Sequence, residues 1–214
     1  MPNAKTDAQV GYERIIVAGN TGSGKTTLTA WLLSQGFSYL TDELVFLPSG
    51  SKHIDAFRRP LSIKAGGRAV LEQTLGSTFL GSEVVTSRVS TLVPAPQLGD
   101  KHPDPHRVVG QAAIVFPQYK YGAKFRFKPL TGSQAGLALM GHVLNARNLD
   151  GHGFSEVTQL ARRIPAYRMS YSHFGQLEQW VQQIKTGGLG PLEPQPSSGS
   201  GRAMTPDFLS HLDP

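Results

Sequence analysis

An α/β domain is the fold that this sequence predicts, on three observations. The apolar, β-branched run Arg14-Ile15-Ile16-Val17-Ala18 reads as a buried strand. It leads into the glycine-rich Gly19-Asn20-Thr21-Gly22-Ser23-Gly24-Lys25-Thr26 and then into Leu28, Trp31 and Leu32 at helical spacing, a strand–loop–helix order. In the second half, short strand-like runs alternate with helix-like stretches, and 214 residues suit one such domain.

Taken in order, residues 1–10 read as a loose arm and 11–185 as the domain. The first strand covers about 13–18. The helix after the loop ends at Gly36, a residue suited to a left-handed cap. Residues 37–41 read as a short strand and 44–47 as extended chain, closed by the turn signal Pro48-Ser49-Gly50-Ser51. Residues 53–64 read as extended, broken at Arg58-Arg59-Pro60 and ended by Gly66-Gly67. A short helix fits 68–75, with Val70, Leu71 and Thr74 on one side, and 81–93 reads as extended. Four prolines between 94 and 106 mark an exposed loop. The apolar run 108–116 suits a central strand, and Lys124-Phe125-Arg126-Phe127-Lys128 alternates as a strand with one apolar and one basic face. Thr131-Gly132-Ser133-Gln134 fits a capping box for a helix to about Asn145. Ser155 is placed to cap the next helix, whose Val157, Leu160, Ala161 and Ile164 share a face. Residues 166–171 alternate as a strand, and Leu177, Trp180, Val181 and Ile184 stripe a last helix. From 186 to 214 the Gly/Pro/Ser-rich chain buries too little apolar surface to stay ordered.

Composition excludes several classes. There is no cysteine, so no disulfide scaffold and no thiolate metal site. No run approaches the roughly 18 apolar residues of a membrane span, and the polar first ten residues lack a signal-like apolar segment. A cytoplasmic protein without membrane attachment is the expectation. The net charge of +6 suits polyanionic ligands, nucleotides included. With no groove-reading motif, nucleic acid is not the expected partner.

The glycine-rich stretch satisfies G-x-x-x-x-G-K-[ST], the loop that cradles nucleotide phosphates. Backbone amides of Gly19, Asn20, Thr21, Gly22, Ser23, Gly24, Lys25, Thr26 and Thr27 would surround the anion at a helix N-terminus. Lys25 would reach the β- and γ-phosphates of ATP, and the Thr26 hydroxyl would take a place on Mg²⁺. Transfer chemistry also needs a carboxylate. The downstream apolar strand ends at Pro117 without one. Asp42-Glu43 is the alternative: the helix carries the chain away by about 15 Å at 1.5 Å per residue, and 37–41 returns it by roughly 16 Å. One acid of the pair would serve Mg²⁺ and the other would accept a hydroxyl proton. Arg58, Arg59 and Lys64 are candidate contacts to phosphate or to an acidic substrate, whereas the Lys124/Arg126/Lys128 face reads as solvated. His142, among apolar helix residues, reads as a core or boundary histidine.

Gly19-x-x-Gly22-x-Gly24-Lys25-Thr26, the apolar helix, and Gly36-Phe37-x-Tyr39-Leu40-x-Asp42-Glu43 together resemble the HPr kinase/phosphorylase family. Weaker similarities extend to the HPr-kinase-related group that includes kinases of lasso peptides. They lie in Arg59-Pro60-Leu61-Ser62-Ile63-Lys64, Val115-Phe116-Pro117-x-Tyr119, Pro129-Leu130-Thr131 and Asn145, so that the resemblance spans about 11–185. It implies a mixed sheet with flanking helices, similar to the nucleotide-binding core of phosphoenolpyruvate carboxykinase. It also implies an ATP- and Mg²⁺-dependent kinase acting on a serine-like hydroxyl of a peptide, protein or small molecule. By resemblance Asp42 would be the catalytic base, working with Lys25, and Glu43 the acid near the metal. A homo-oligomer is compatible with this reading. The second acid is Glu where that family usually carries Asp, and its Leu-Glu-x-Arg-Gly signature has no counterpart here, so HPr itself is not the expected acceptor. The competing expectation is a nucleotide-binding regulator that hydrolyses ATP slowly and acts through a partner.

Overall fold

A computed structural model describes residues 14–42, 45, 59–76, 85–98 and 112–186. It is an α/β arrangement around a mixed four-stranded sheet, in the order β1-β5-β7-β6. Strands β1 (Arg14–Val17), β5 (Ala112–Tyr119) and β7 (Ala166–Tyr171) are parallel, and β6 (Arg126–Leu130) pairs antiparallel with β7. A second, antiparallel sheet joins β2 (Leu61–Lys64), β4 (Ser90–Val93) and β3 (Val85–Thr86). The mixed sheet with flanking helices agrees with the expectation. Among the described residues no helix is long and apolar enough to cross a membrane.

Each face of the main sheet carries its own apolar layer. Side chains alternate across a strand, so Val115, Phe127, Tyr167, Met169 and Tyr171 point to one face. There they meet α1 (Lys25–Ser34), α2 (Ala65–Leu75) and α5 (Glu178–Thr186). Rings organise this layer: Trp31 stacks on Phe174 at 4.9 Å between centroids, and Phe127 on Tyr167 at 4.5 Å, with Trp180 tilted against Phe127. On the other face Ala112, Ile114, Phe116 and Ala166 meet α3 (Gly132–Met140) and α4 (Phe154–Arg163). Burying one such Leu or Ile stabilises by about 1.5–3 kcal/mol.

The antiparallel return of β6 decides where α3 ends. Because β6 runs antiparallel to β7, the chain reaches Thr131 at the far end of the sheet, and α3 climbs back toward the carboxyl ends of β1, β5 and β7. Its start is the expected capping box. Thr131 Oγ1 accepts from the Gln134 amide at 3.3 Å, and the Thr131 amide donates to Gln134 Oε1 at 3.0 Å.

Several boundaries differ from expectation. Residues 37–40 form no ladder, and only Thr41 makes an isolated bridge. That stretch is held instead by Tyr39, buried in the core, whose hydroxyl donates to the Arg59 carbonyl at 3.0 Å. Gly66-Gly67 do not end the β2 stretch but sit in the first turn of α2, where a Cβ at Gly67 would collide with Thr27 Oγ1 of α1. The extended stretch 81–93 is, where described, a hairpin, β3 and β4, whose turn is closed by Ser87 Oγ accepting from the Val89 and Ser90 amides. Ala95 and Leu98 of the supposed exposed loop are buried in a 3-10 turn. The strand expected at 124–128 lies two residues later, at Arg126–Leu130. α3 stops at Met140, capped by Gly141, and not at Asn145. α4 is capped by left-handed Gly153, which leaves Ser155 inside its first turn. Gly36 is left-handed, as its role after α1 requires. The expected arm at 1–10, the stretch 46–58 and the tail beyond 186 lie outside the described residues.

Candidate phosphate-binding site

The loop between β1 and α1 owes its shape to three glycines. Gly19, Gly22 and Gly24 have φ of 149°, 84° and 94°, a region that side chains disfavour. Gly24 also lacks room: a Cβ there would lie 3.3 Å from both Tyr119 Cβ and Tyr171 Oη. At Gly19 a Cβ would press on Ser23 Oγ, which is buried and has no hydrogen-bond partner among the described residues.

β5 clamps the loop from the side. The Ala18 amide donates to the Val115 carbonyl at 2.9 Å, and the Tyr119 amide to the Ser23 carbonyl at 3.2 Å. Tyr119 in turn meets Tyr171 edge-on at 5.9 Å. Burial and the neighbouring Tyr119 hold the Tyr171 hydroxyl firmly protonated. The loop is thus held from β5 while the amides within it stay open. Among the described residues the backbone N–H groups of Thr21, Gly22, Gly24, Lys25 and Thr26 reach no acceptor. Amides left open on a loop that enters a helix form an anion-binding concavity.

Lys25 folds back into this concavity, its Nζ donating to the Asn20 carbonyl at 2.9 Å. Burial lowers its pKa, the Asp42 carboxylate opposes that shift, and the Lys64 ammonium adds to it. Lys25 thus lies within the electrostatic reach of Asp42 and Lys64. Lys64 comes there as the residue that opens α2, whose own first turn packs against Thr27. Thr26 and Thr27 lie in the first turn of α1 and are half-buried. Arg59 is fixed through its carbonyl to Tyr39. Glu43 and Arg58 lie outside the described residues.

No family model, curated protein or solved structure matches the chain.

His142 joins the site unannounced. It follows Gly141 at the end of α3, tilts against Phe116 with centroids 6.4 Å apart, and is half-buried. Burial and the Lys25 charge both lower its pKa, so it stands within the field of the loop lysine. Helical periodicity could assign it to a helix end but not to this end of the sheet, because that depends on the direction of β6. That Tyr119 and Tyr171 wall the loop went unforeseen for the same reason, since the loop lies about 100 or more residues away in the chain. Chemically, the arrangement offers donors for a polyphosphate, an ammonium on a long side chain, and a carboxylate whose charge reaches that ammonium.

Proposed function

We propose that the chain is an ATP- and Mg²⁺-dependent kinase that transfers the γ-phosphoryl group to a hydroxyl acceptor. The observation that carries this reading is the set of open amides around Lys25, a lysine that feels both the opposite charge of Asp42 and the like charge of Lys64. The fold core would then be of the phosphate-loop kinase type, similar to HPr kinase.

The loop amides hold the β-phosphate, and Lys25 leaves the Asn20 carbonyl to follow the γ-phosphoryl group. The acceptor oxygen forms its bond to phosphorus as the bridging bond to ADP breaks, and the hydroxyl proton passes to Asp42. Lys64 would add positive charge near the transferring group. The donors suit magnesium, being oxygen only, and Thr26 Oγ1 has no other partner among the described residues. Thr26 would hold the ion, with Asp42 or Glu43 completing the set through water. When bound, Mg²⁺ neutralises negative charge on the phosphates.

The test is incubation with γ-labelled ATP and hydroxyl-bearing peptides, read by mass spectrometry. Asp42→Asn should cut transfer by about 10²–10⁴-fold, the usual worth of a positioned base, and leave ATP binding intact. Unchanged transfer in that variant would remove Asp42 from the role. ATP binding without transfer to any acceptor would favour a nucleotide-driven regulator.

A further inference from the structure

The alternating strand β6 was expected to show solvent a basic face, and the sheet register gives that face a different meaning. Arg126 and Lys128 are exposed on β6, and Lys128 lies directly opposite Arg168 of β7, which is exposed as well. Arg168 is in turn opposite Phe116 of β5, the ring against which His142 packs. The next row is Gln118, Ser170 and Arg126. These two rows belong to the face covered by α3 and α4, but at its uncovered end, beside the loop.

Two cations facing each other across strands repel, and among the described residues no carboxylate pairs with Arg126, Lys128 or Arg168. Protection of a sheet edge explains charges and the proline on β6. It does not explain Arg168, which is on a strand with neighbours on both sides. Ligands of parallel sheets bind at the carboxyl ends of the strands, where this patch lies.

We propose that Arg168, Lys128 and Arg126 dock the acidic flank of a polypeptide acceptor, an inference that rests on the kinase reading above. Strands are spaced by about 4.8 Å, so β7 and β6 lie roughly 10 and 14 Å from β1, at whose end the loop begins. An extended peptide covers that span in about three to five residues. The acceptor hydroxyl would sit at the loop, with Asp or Glu three to five positions away. A small anion cannot bridge the two places.

The full chain is titrated by fluorescence anisotropy at low salt against two labelled peptides. Each carries one serine, and four residues from it stand three glutamates in one peptide and three glutamines in the other. A thymidine oligonucleotide is the third probe. The acidic peptide should bind about tenfold or more tightly than the glutamine peptide, as three new ion pairs allow. The R168Q/K128Q variant should lose that preference while binding ATP as before, which also shows that it is folded. Equal binding of the two peptides, or a preference that survives in the variant, would overturn the proposal. So would tighter binding of the oligonucleotide that depends on Arg168. Arg168-dependent binding of the acidic peptide with no phosphate transferred to it would leave the docking face standing and remove the kinase reading.

Discussion

Gly67 and Thr27 meet where α2 crosses the first turn of α1, and the contact leaves no space for a methyl group. Gly67→Ala should therefore destabilise the protein by about 1–3 kcal/mol through overpacking and weaken ATP binding, because Thr27 adjoins the loop. Thr27→Ala should recover most of that loss. A double-mutant cycle by urea unfolding and calorimetric ATP titration measures the coupling. His142 supports a pH prediction. Its folded pKa lies below the unfolded value of about 6.5, so the unfolded chain takes up the proton more readily. The contribution of His142 to stability is complete above that unfolded value and is lost as pH falls through it toward the lower folded pKa. His142→Gln should lose less melting temperature than the parent between about pH 7.5 and pH 5; parallel slopes would show that neither burial nor Lys25 lowers its pKa.

At the scale of elements, α5 seals the first apolar layer with Trp180, Val181 and Ile184, joined by Leu177 from the 3-10 turn before it, all buried. Trp180→Ala should cost about 3–5 kcal/mol. Trp180→Phe should cost less, since the indole N–H is buried without a partner and its removal leaves no group unsatisfied. Urea midpoints of the two variants rank them. Elements of this kind were legible in the sequence: the stripe of α5, the capping box of α3 and the apolar run of β5 each carry their own local signal. The misplaced boundaries share a cause. Tyr39 alternates like a strand residue but is an anchor without a neighbouring ladder, and Gly66-Gly67 look like a break but are a crossing point. Both depend on which element packs alongside, and periodicity does not record that.

At the scale of the whole molecule, the glycine-rich loop was legible because its amides and lysine are contiguous in sequence. The rest of the site was not. His142, Tyr119, Tyr171 and Arg168 reach the loop end of the sheet only through the strand order β1-β5-β7-β6 and the reversal of β6. Asp42 was singled out from the length of the helix and of the return after it, and its charge acts on Lys25. The same topology explains why both helical layers border the loop: α1 and α2 from one face, and the end of α3 from the other.

The register that sets Lys128 against Arg168 also bears on how the purified protein should be handled. Screening weakens repulsion between exposed charges, so sodium chloride should stabilise this chain. Between about 20 and 200 mM salt we expect the melting temperature to rise by roughly 1–3 °C, the worth of a few tenths to 1 kcal/mol in a domain of this size. In K128Q the rise should shrink. Differential scanning fluorimetry across a salt series would show it, and dilute buffers would be the wrong choice for storage.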